Sequence, residues 1–438
     1  MTYMAVSMIT AFLLPKTATM PFYCTSFAHS KAKERVRSFC RMGCCSVVMQ
    51  KPKSAPTSSA GAISRALSAY LPTCFTALAF PACIIVLDKE NAENRKGIFM
   101  IDASKGFEKD GNKNRLREQD IHKIVDVFNK QLEIEKYSRM VSVAEIETNE
   151  FNLNIPRYID SQEAEDIQDI EAHLLGDIPN ADIDALHPYW EVYPSLRKTL
   201  FTAGSRANYS KLLITHDAVK PTIFSHPEFT AYSQNVQCVF AQWKSRNMPK
   251  LKGITVDDKP KKLIREISED LLQTFKNLKL IDKYDVYQHL MVYWAETMQD
   301  DVYSLVSDGW LAGREIERAK KEWEGRLIPK KLIIARYFAA EQEAIENLEA
   351  DRDLEKKVLD RYKALGVDEI KTLVVEDKWL ARLEQDIQTE MQRISQRLTG
   401  RIKELAERYE TPLPQLSNEV NDLTAKVDGH LKKMGFIA

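Results

Sequence analysis

From residue 81 onward the apolar positions follow two distinct periods. Cys83–Leu87 and Gly97–Asp102 are short, nearly unbroken apolar runs, the pattern of strands covered on both faces. The polar stretch Lys89–Lys96, which contains Asn91, predicts a loop joining them as neighbouring strands. Ser104–Arg117, rich in Lys, Asn and Gly, predicts a second loop, after which Ile121, Ile124, Val125, Phe128 and Leu132 fall on one helical face. Beyond residue 165 the helical period dominates. A short helix over Ile167–Leu175 ends at Gly176, and a weaker helical stretch, Asp182–Thr199, is interrupted by Pro188 and Pro194. A strand-like run, Lys211–Thr215, precedes a helix from Pro227 to about Ser245 and further helices over 260–277, 284–306 and 311–325. Tyr284, Tyr287, Tyr293, Trp294 and Trp310 recur on or beside them at spacings that predict core packing.

Two longer helices follow, over Pro329–Ala364 and Lys378–Tyr409. The second carries Leu380, Leu383, Ile387, Met391, Ile394, Leu398, Ile402 and Leu405 at spacings of three or four. A stripe of that length suits a helical bundle or coiled coil, although Gly400 within it weakens one turn. Pro412 and Pro414 break the run before a last helix, Leu416–Met434.

Composition changes the picture at one place. The 438 residues carry a net charge of −1 and 44% apolar residues, which describes a soluble globular protein and argues against a self-sufficient nucleic-acid binder. Yet residues 1–80 hold nine Lys/Arg, one acid (Glu34) and five of the seven cysteines, whereas residues 81–438 carry a net charge of −9. The apolar opening Met1–Pro15 has neither the basic start nor the cleavage site of a signal peptide. Ala66–Leu87 is uncharged and long enough for a membrane span, but contains Pro72 and Pro81. Cys40, Cys44 and Cys45 have no second pair at a zinc-ligand spacing. A different reading accounts for the segment better. Codons can be chosen for Thr19–Phe80 so that the neighbouring frame begins GNYAFLLHIIRTLKGKGKGAVILPHG and ends IKGIIGLPANLFYGTGI, a text with alternating helix and strand periods. Residues 1–80 therefore read as an out-of-frame, unstructured segment.

Candidate chemistry is sparse. His216, His226 and His289 are isolated, without paired metal-ligand spacing. Asp300 and Asp301 form an acidic pair suited to cation binding or acid–base work, with a solvated helix surface as the simpler expectation.

Four blocks carry a family resemblance: GIFMIDASKGFEK (Gly97–Lys109), NRLREQDIHKIVDVF (Asn114–Phe128), EKYSRMVSVAEI (Glu135–Ile146) and FNLNIPRYID (Phe151–Asp160). In this order and spacing they resemble the end of the methyltransferase domain in the modification (M) subunits of type I restriction-modification systems. The shifted frame resembles the stretch leading into that family's GTGIPAC segment, which resumes in frame at Pro81-Ala82-Cys83. The helical half is similar to the C-terminal extension of one branch, through DKYDVYQHLMVYWAETMQDDVY (Asp282–Tyr303), LIPKKLIIARYFAAEQEAIE (Leu327–Glu346), IKTLVVEDKWLA (Ile370–Ala381) and LTGRIKELAERYETPLPQL (Leu398–Leu416). The charged stretches after Trp310 and after Ala350 are shorter than in that branch.

The resemblance implies a fold that is mainly α with a small α/β remnant: the terminal strands of a Rossmann-like methyltransferase domain, then a helical domain with long C-terminal helices. Its implied divisions are 1–80, 81–165, 166–326 and 327–438. The family transfers a methyl group from S-adenosylmethionine to adenine in DNA. The Gly-containing cofactor loop and the Asn-Pro-Pro-aromatic motif that this chemistry uses do not occur here. Asn154-Ile155-Pro156-Arg157-Tyr158 has the wrong spacing and reads as a structural turn, with Arg157 and Tyr158 placed to pack against a partner. Met1 accordingly reads as an internal start, and the expected chain is a C-terminal fragment, inactive alone, with no catalytic, cofactor-binding or metal residues. Its implied partners are the specificity (S) subunit, the restriction (R) subunit and, through the complex, DNA, in the cytoplasm and without a membrane. The stripe over residues 380–405 is the candidate for docking on the S subunit, with intramolecular core as its rival. The alternative for the whole chain is a stand-alone helical interaction module with a genuine N-terminal membrane or secretory segment.

Overall fold

A computed structural model describes residues 36–41, 68–71, 82–87, 96–111, 113–162, 168–319, 322–343 and 348–434. The chain divides into two compact units, residues 1–165 and 166–438. Most of the segment read as out of frame, including Cys44 and Cys45, lies outside the described residues.

The first unit is built on a five-stranded sheet of β1 (Val36–Arg41), β2 (Ser68–Leu71), β3 (Ala82–Leu87), β4 (Gly97–Asp102) and β7 (Ser138–Ser142), in the order β1-β3-β2-β4-β7. Two of these strands fall within residues 1–80, where none was expected. β3 and β4 are not neighbours either. β2 lies between them, antiparallel to β3 (Ala69 opposite Ile84) and parallel to β4 (Ser68 opposite Met100). The polar loop limits the reach between consecutive strands but does not dictate that they pair.

β4 is buried from Ile98 to Asp102, and its alternation shows why it reads as an unbroken apolar run. Phe99 and Ile101 face Ile121, Ile124 and Val127 of helix α1 (Glu118–Lys130), while Ile98 and Met100 face Val141, Ile146, Ile155 and Tyr158. At its start a Cβ on Gly97 would lie 2.2 Å from the Val141 carbonyl oxygen, so this close approach requires glycine. The stretch expected to be all loop contains a small hairpin, β5 (Glu108–Asp110) with β6 (Lys113–Arg115). At the start of α1, Asp120 accepts the Arg117 backbone N–H at 3.1 Å and its Nε–H at 2.8 Å. Leu132 lies beyond the helix and is exposed. A short helix, α2 (Val143–Thr148), follows β7, its start capped by Ser142.

The second unit is helical. Its first helix, α3 (Ile170–Leu175), ends at Gly176, whose φ of +78° and ψ of −171° suit glycine. The proline-interrupted stretch forms three short helices, α4 (Asn180–Asp184), α5 (His187–Trp190) and α6 (Pro194–Leu200), with proline in the first turn of the latter two. A small sheet of β8 (Ile178–Pro179), β9 (Phe201–Ala203) and β10 (Tyr209–Leu212) sits among them.

After α7 (His216–Ser225) comes α8 (Pro227–Lys252), longer than expected. Tyr232, Val236, Phe240, Trp243 and Leu251 bury one face of it, and Trp243 donates its indole N–H to the Ile267 carbonyl in α9 (Pro260–Phe275) at 3.0 Å. α10 (Lys283–Tyr293) continues through a π-helical turn, Trp294–Met298, into α11 (Gln299–Asp308).

Two expected helices are replaced. Residues 311–325 form a 3₁₀ turn, Trp310–Arg314, and a hairpin of β11 (Ile316–Ala319) with β12 (Glu322–Gly325). Arg326 ties this region down: its guanidinium bonds Glu315 and reaches Asp308 at 2.8 Å, and its backbone N–H bonds the Glu315 carbonyl. Trp323 packs edge-on against Tyr362. The helix expected over Pro329–Ala364 is divided into α12 (Lys330–Tyr337), α13 (Ala339–Glu343) and α14 (Leu348–Ala364). Phe338, at φ −134° and ψ 22°, breaks the first junction. α14 then returns alongside, so that Lys330 pairs with Glu355 at 2.8 Å and Lys357 with Glu341 at 2.6 Å.

A continuous helical run follows: α15 (Val367–Lys371), a π-helical segment Thr372–Leu380 and α16 (Ala381–Glu410). The last helix is α17 (Leu413–Lys433). One apolar core runs from Ala172 to Tyr409, and the division expected between residues 326 and 327 does not interrupt it.

Candidate functional site

The eight residues singled out for docking form the spine of this core. Leu380, Leu383, Ile387, Met391, Ile394, Leu398, Ile402 and Leu405 are all buried, none more than 5% exposed. They belong to the same cluster as residues of α8, α9 and α10. The intramolecular alternative therefore describes them, because their own chain already covers the surface they would offer. α16 is solvent-facing on its other sides, and Gly400 lies on such a side without interrupting the helix.

Two buried polar groups fix this run of helix. Asp301, expected on a solvated surface, is buried, while Asp300 is exposed. The Asp301 carboxylate accepts from the Lys378 ammonium at 2.6 Å and from the Trp379 indole N–H at 2.8 Å, and Lys378 also donates to the Leu327 carbonyl at 2.7 Å. The reason is geometric: these donors sit on the π-helical segment facing α11, and an acid between them satisfies both. Burial pushes the Asp301 carboxyl above its usual range, with Lys378 and Trp379 opposing it.

The second group is Glu390, buried on α16 and hydrogen-bonded by Arg393 at 2.7 Å, with His289 of α10 at 3.6 Å. Arg393 also reaches Asp285 at 3.1 Å. Burial disfavours the Glu390 carboxylate, but the bonds from His289 and Arg393 outweigh it and hold its pKa at about 2. Because this lies below the ordinary value of 4.5, the stabilisation is complete above pH 4.5 and is lost as pH falls through about 2. It amounts to on the order of 3 kcal/mol. Urea unfolding of Glu390→Gln at about pH 7 and pH 3 is expected to show a deficit at neutral pH that narrows in acid.

The histidines have structural surroundings. The His226 Nδ1 accepts the Glu228 backbone N–H at the start of α8, His289 faces Glu390, and His216 lies 3.9 Å from Glu407. Among the described residues no group of three or more His, Cys, Asp or Glu is placed to hold a metal ion. A cleft lined by Gly176, Asp177, Lys211, His216 and Tyr409 opens beside β10. Its acid, Asp177, is already bonded by Ser205 at 2.6 Å and paired with Lys211 at 3.4 Å. Burial raises the Asp177 pKa, and the Ser205 and Lys211 bonds more than reverse that effect.

In the first unit, Asn154–Tyr158 is the expected turn, a 3₁₀ element over Ile155–Arg157. Tyr158 does not face outward. It is buried, bonds the Asn152 carbonyl through its hydroxyl and accepts from Arg139 at its backbone oxygen, while Arg157 stays exposed. Asp102, at the end of β4, accepts the Ser104 backbone N–H at 2.9 Å. Among the described residues no helix is long and apolar enough to cross a membrane. Residues 68–71 and 82–87, within the stretch weighed as a span, are separate strands.

The surface missed by sequence reasoning is on α17. Leu413, Leu416, Val420, Leu423 and Val427 are all exposed, each more than 40%. The signal was present: the stripe on this helix has the same three-and-four spacing as that on α16, but flanking small and polar residues gave no sign that its own chain leaves it uncovered.

Comparison with known proteins bears on the first unit. The sequence model of the family described as N-6 DNA Methylase matches residues 66–167, beginning inside the segment read as out of frame. The methylase subunit of the type I restriction enzyme MjaVII from Methanocaldococcus jannaschii is 44% identical over 92 residues, 20% of this chain and 16% of that protein. The MpnII methylase subunit of Mycoplasma pneumoniae is 30% identical over 112 residues, 25% of this chain and 20% of that protein. A solved type I restriction-modification methyltransferase subunit from Streptococcus thermophilus aligns over 23% of this chain and 21% of its own, with 36% identity and a TM-score of 0.21. The alignments thus span about a fifth or less of these relatives' lengths. Through residues 66–167 the chain matches the N-6 DNA Methylase family and is similar to the methylase subunits of type I restriction enzymes.

Proposed function

We propose that this chain is a C-terminal part of the DNA-modification subunit of a type I restriction-modification system and does not transfer methyl groups by itself. The observation that carries this reading is the 44% identity to the MjaVII methylase subunit over 92 residues, beside the match of residues 66–167 to the N-6 DNA Methylase family. The Gly-containing cofactor loop and the Asn-Pro-Pro-aromatic motif do not occur in the sequence. In this reading β3, β4 and β7 are the terminal strands of a Rossmann-like domain. S-adenosylmethionine belongs to the intact subunit, and the partners are the S and R subunits, with DNA reached through the complex in the cytoplasm. The eight buried stripe residues serve assembly indirectly, by holding α16 in the core and fixing the frame on which partner surfaces sit.

The out-of-frame reading of residues 1–80 belongs to the same proposal and is tested at the DNA level. Resequencing upstream of the Pro81 codon either removes a single-base shift or confirms it. For activity, the purified chain is incubated with labelled S-adenosylmethionine and adenine-containing duplex DNA, with an intact modification complex as control. The expected result is no incorporation above background; transfer by this chain would refute the proposed inactivity. Absence of any complex with the S subunit of the same system would count against the assembly reading.

A further inference from the structure

An apolar hollow ringed by cations lies at one corner of the helical unit. The end of α8, the link that follows it and the start of α9 meet α11 around a cleft of about 130 Å³. Its floor is Ile254, Leu263, Val302 and Val306, and its rim carries Lys250, Lys259 and Lys262. The link is held against α11 by the Asp257 backbone N–H, which donates to the Val306 carbonyl at 3.1 Å. Val256 and Leu311, both more than half exposed, extend the apolar surface beside Gly309.

The charges here run against the rest of the chain. Residues 81–438 carry a net charge of −9, yet residues 250–266 hold six cations and three acids. Lys250 and Lys262 share Glu266, at 3.9 and 3.8 Å, with side chains 48% and 68% exposed. Asp258 is taken up by Thr255, whose backbone N–H and hydroxyl donate to it at 2.7 and 2.9 Å. Lys259 pairs with no acid among the described residues, and neither do Lys261 and Arg265, exposed on the first turns of α9. An anionic occupant turns the mutual repulsion of these groups into attraction.

The floor selects the kind of anion. A phosphodiester backbone would meet the lysines and leave the apolar floor wet. A peptide uses both. A cavity of about 150 Å³ accepts a benzene ring, so this cleft suits one phenylalanine- or leucine-sized side chain, and carboxylates on either side of it reach the rim.

We infer that the corner between α8, α9 and α11 is a docking site for an acidic peptide segment of a partner, which sets one bulky apolar side chain on Leu263 and Val306 and its carboxylates on Lys250, Lys259 and Lys262. This goes beyond the proposed role in a modification complex and does not depend on it.

The test is fluorescence anisotropy of the full chain, from about 1 to about 500 µM, with a labelled peptide in which one phenylalanine is flanked by glutamates and aspartates. Saturable binding is expected, weakened roughly tenfold or more when the phenylalanine is replaced by serine. Lys259→Glu/Lys262→Glu is expected to weaken the phenylalanine peptide roughly tenfold, whereas Lys426→Glu, on the remote and exposed face of α17, leaves it unchanged. These lysines are exposed and an acid suits the start of α9, so an unchanged circular dichroism spectrum and melting curve verify that each variant folds. No saturation over the concentration range overturns the inference. So do equal affinities for the two peptides, which would leave the floor unused, and equal weakening by Lys426→Glu, which would reduce the effect to overall charge. A short DNA duplex that binds more tightly than the phenylalanine peptide, and loses that binding in Lys259→Glu/Lys262→Glu, overturns it in favour of a nucleic-acid contact.

Discussion

Replacing Lys378 with methionine is expected to destabilise the helical unit by about 3–5 kcal/mol. The ammonium lies 2.6 Å from Asp301, which is buried, and the Lys378 side chain is itself only 12% exposed. Removing one charge of such a pair leaves the other desolvated with a single remaining donor, here the Trp379 indole. Burial already raises the Asp301 pKa, and loss of Lys378 raises it further. An acid whose folded pKa exceeds its unfolded value loses stability as pH rises from the unfolded pKa toward the folded one. The deficit of the variant should therefore be full at neutral pH and shrink as the solution is acidified toward the ordinary aspartate range. Urea denaturation at several pH values reads both features. Lys378→Met/Asp301→Leu, which removes the pair together, should recover much of the loss, because a buried ion pair contributes little net stability against an apolar replacement. A single-variant cost below about 1 kcal/mol would mean that water reaches the carboxylate.

Leu398→Ala is expected to cost about 2–5 kcal/mol through lost burial and the cavity left behind. Leu398 is fully buried at the centre of the α16 stripe, with neighbours whose positions are fixed by the rest of the core. The experiment separates two roles that the sequence leaves equal. A core position loses thermal stability in the isolated chain. A docking position would keep that stability and lose only partner binding. Calorimetry of the unbound variant is sufficient to distinguish them.

What was legible in the sequence follows the range of the interactions involved. The apolar run at Gly97–Asp102, the face of α1, the proline-started helices α5 and α6 and the glycine stop at Gly176 depend on neighbours a few residues away. The hairpin at 316–325 does not. Its sequence is rich in residues that favour helix, and its conformation rests on Arg326 bonds and on Trp323 against Tyr362, a residue in α14. The insertion of β2 between β3 and β4 is likewise a non-local pairing. For the site, the stripe on α16 was visible but its partner was not. Periodicity tells which face is apolar and is silent on whether the same chain or another one covers it. That silence explains why α16 drew attention while α17, with a shorter stripe, passed as an ordinary last helix.

The π-helical segment Thr372–Leu380 has an evolutionary consequence. A π turn holds one more residue than the α turn it replaces, and such turns arise where a residue has been inserted into an α-helix. Deleting one residue here without the segment's relaxing to α geometry would rotate everything downstream by about 100°. Lys378 would turn away from Asp301, and the stripe on α16 would swing out of the core. Point substitutions can spread through this stretch one at a time, whereas a change of length demands simultaneous compensation in α10 and α11. Among natural variants of this chain, residues 372–380 should therefore vary in letter while remaining fixed in number, unlike the surface loops, where length is the first thing to drift.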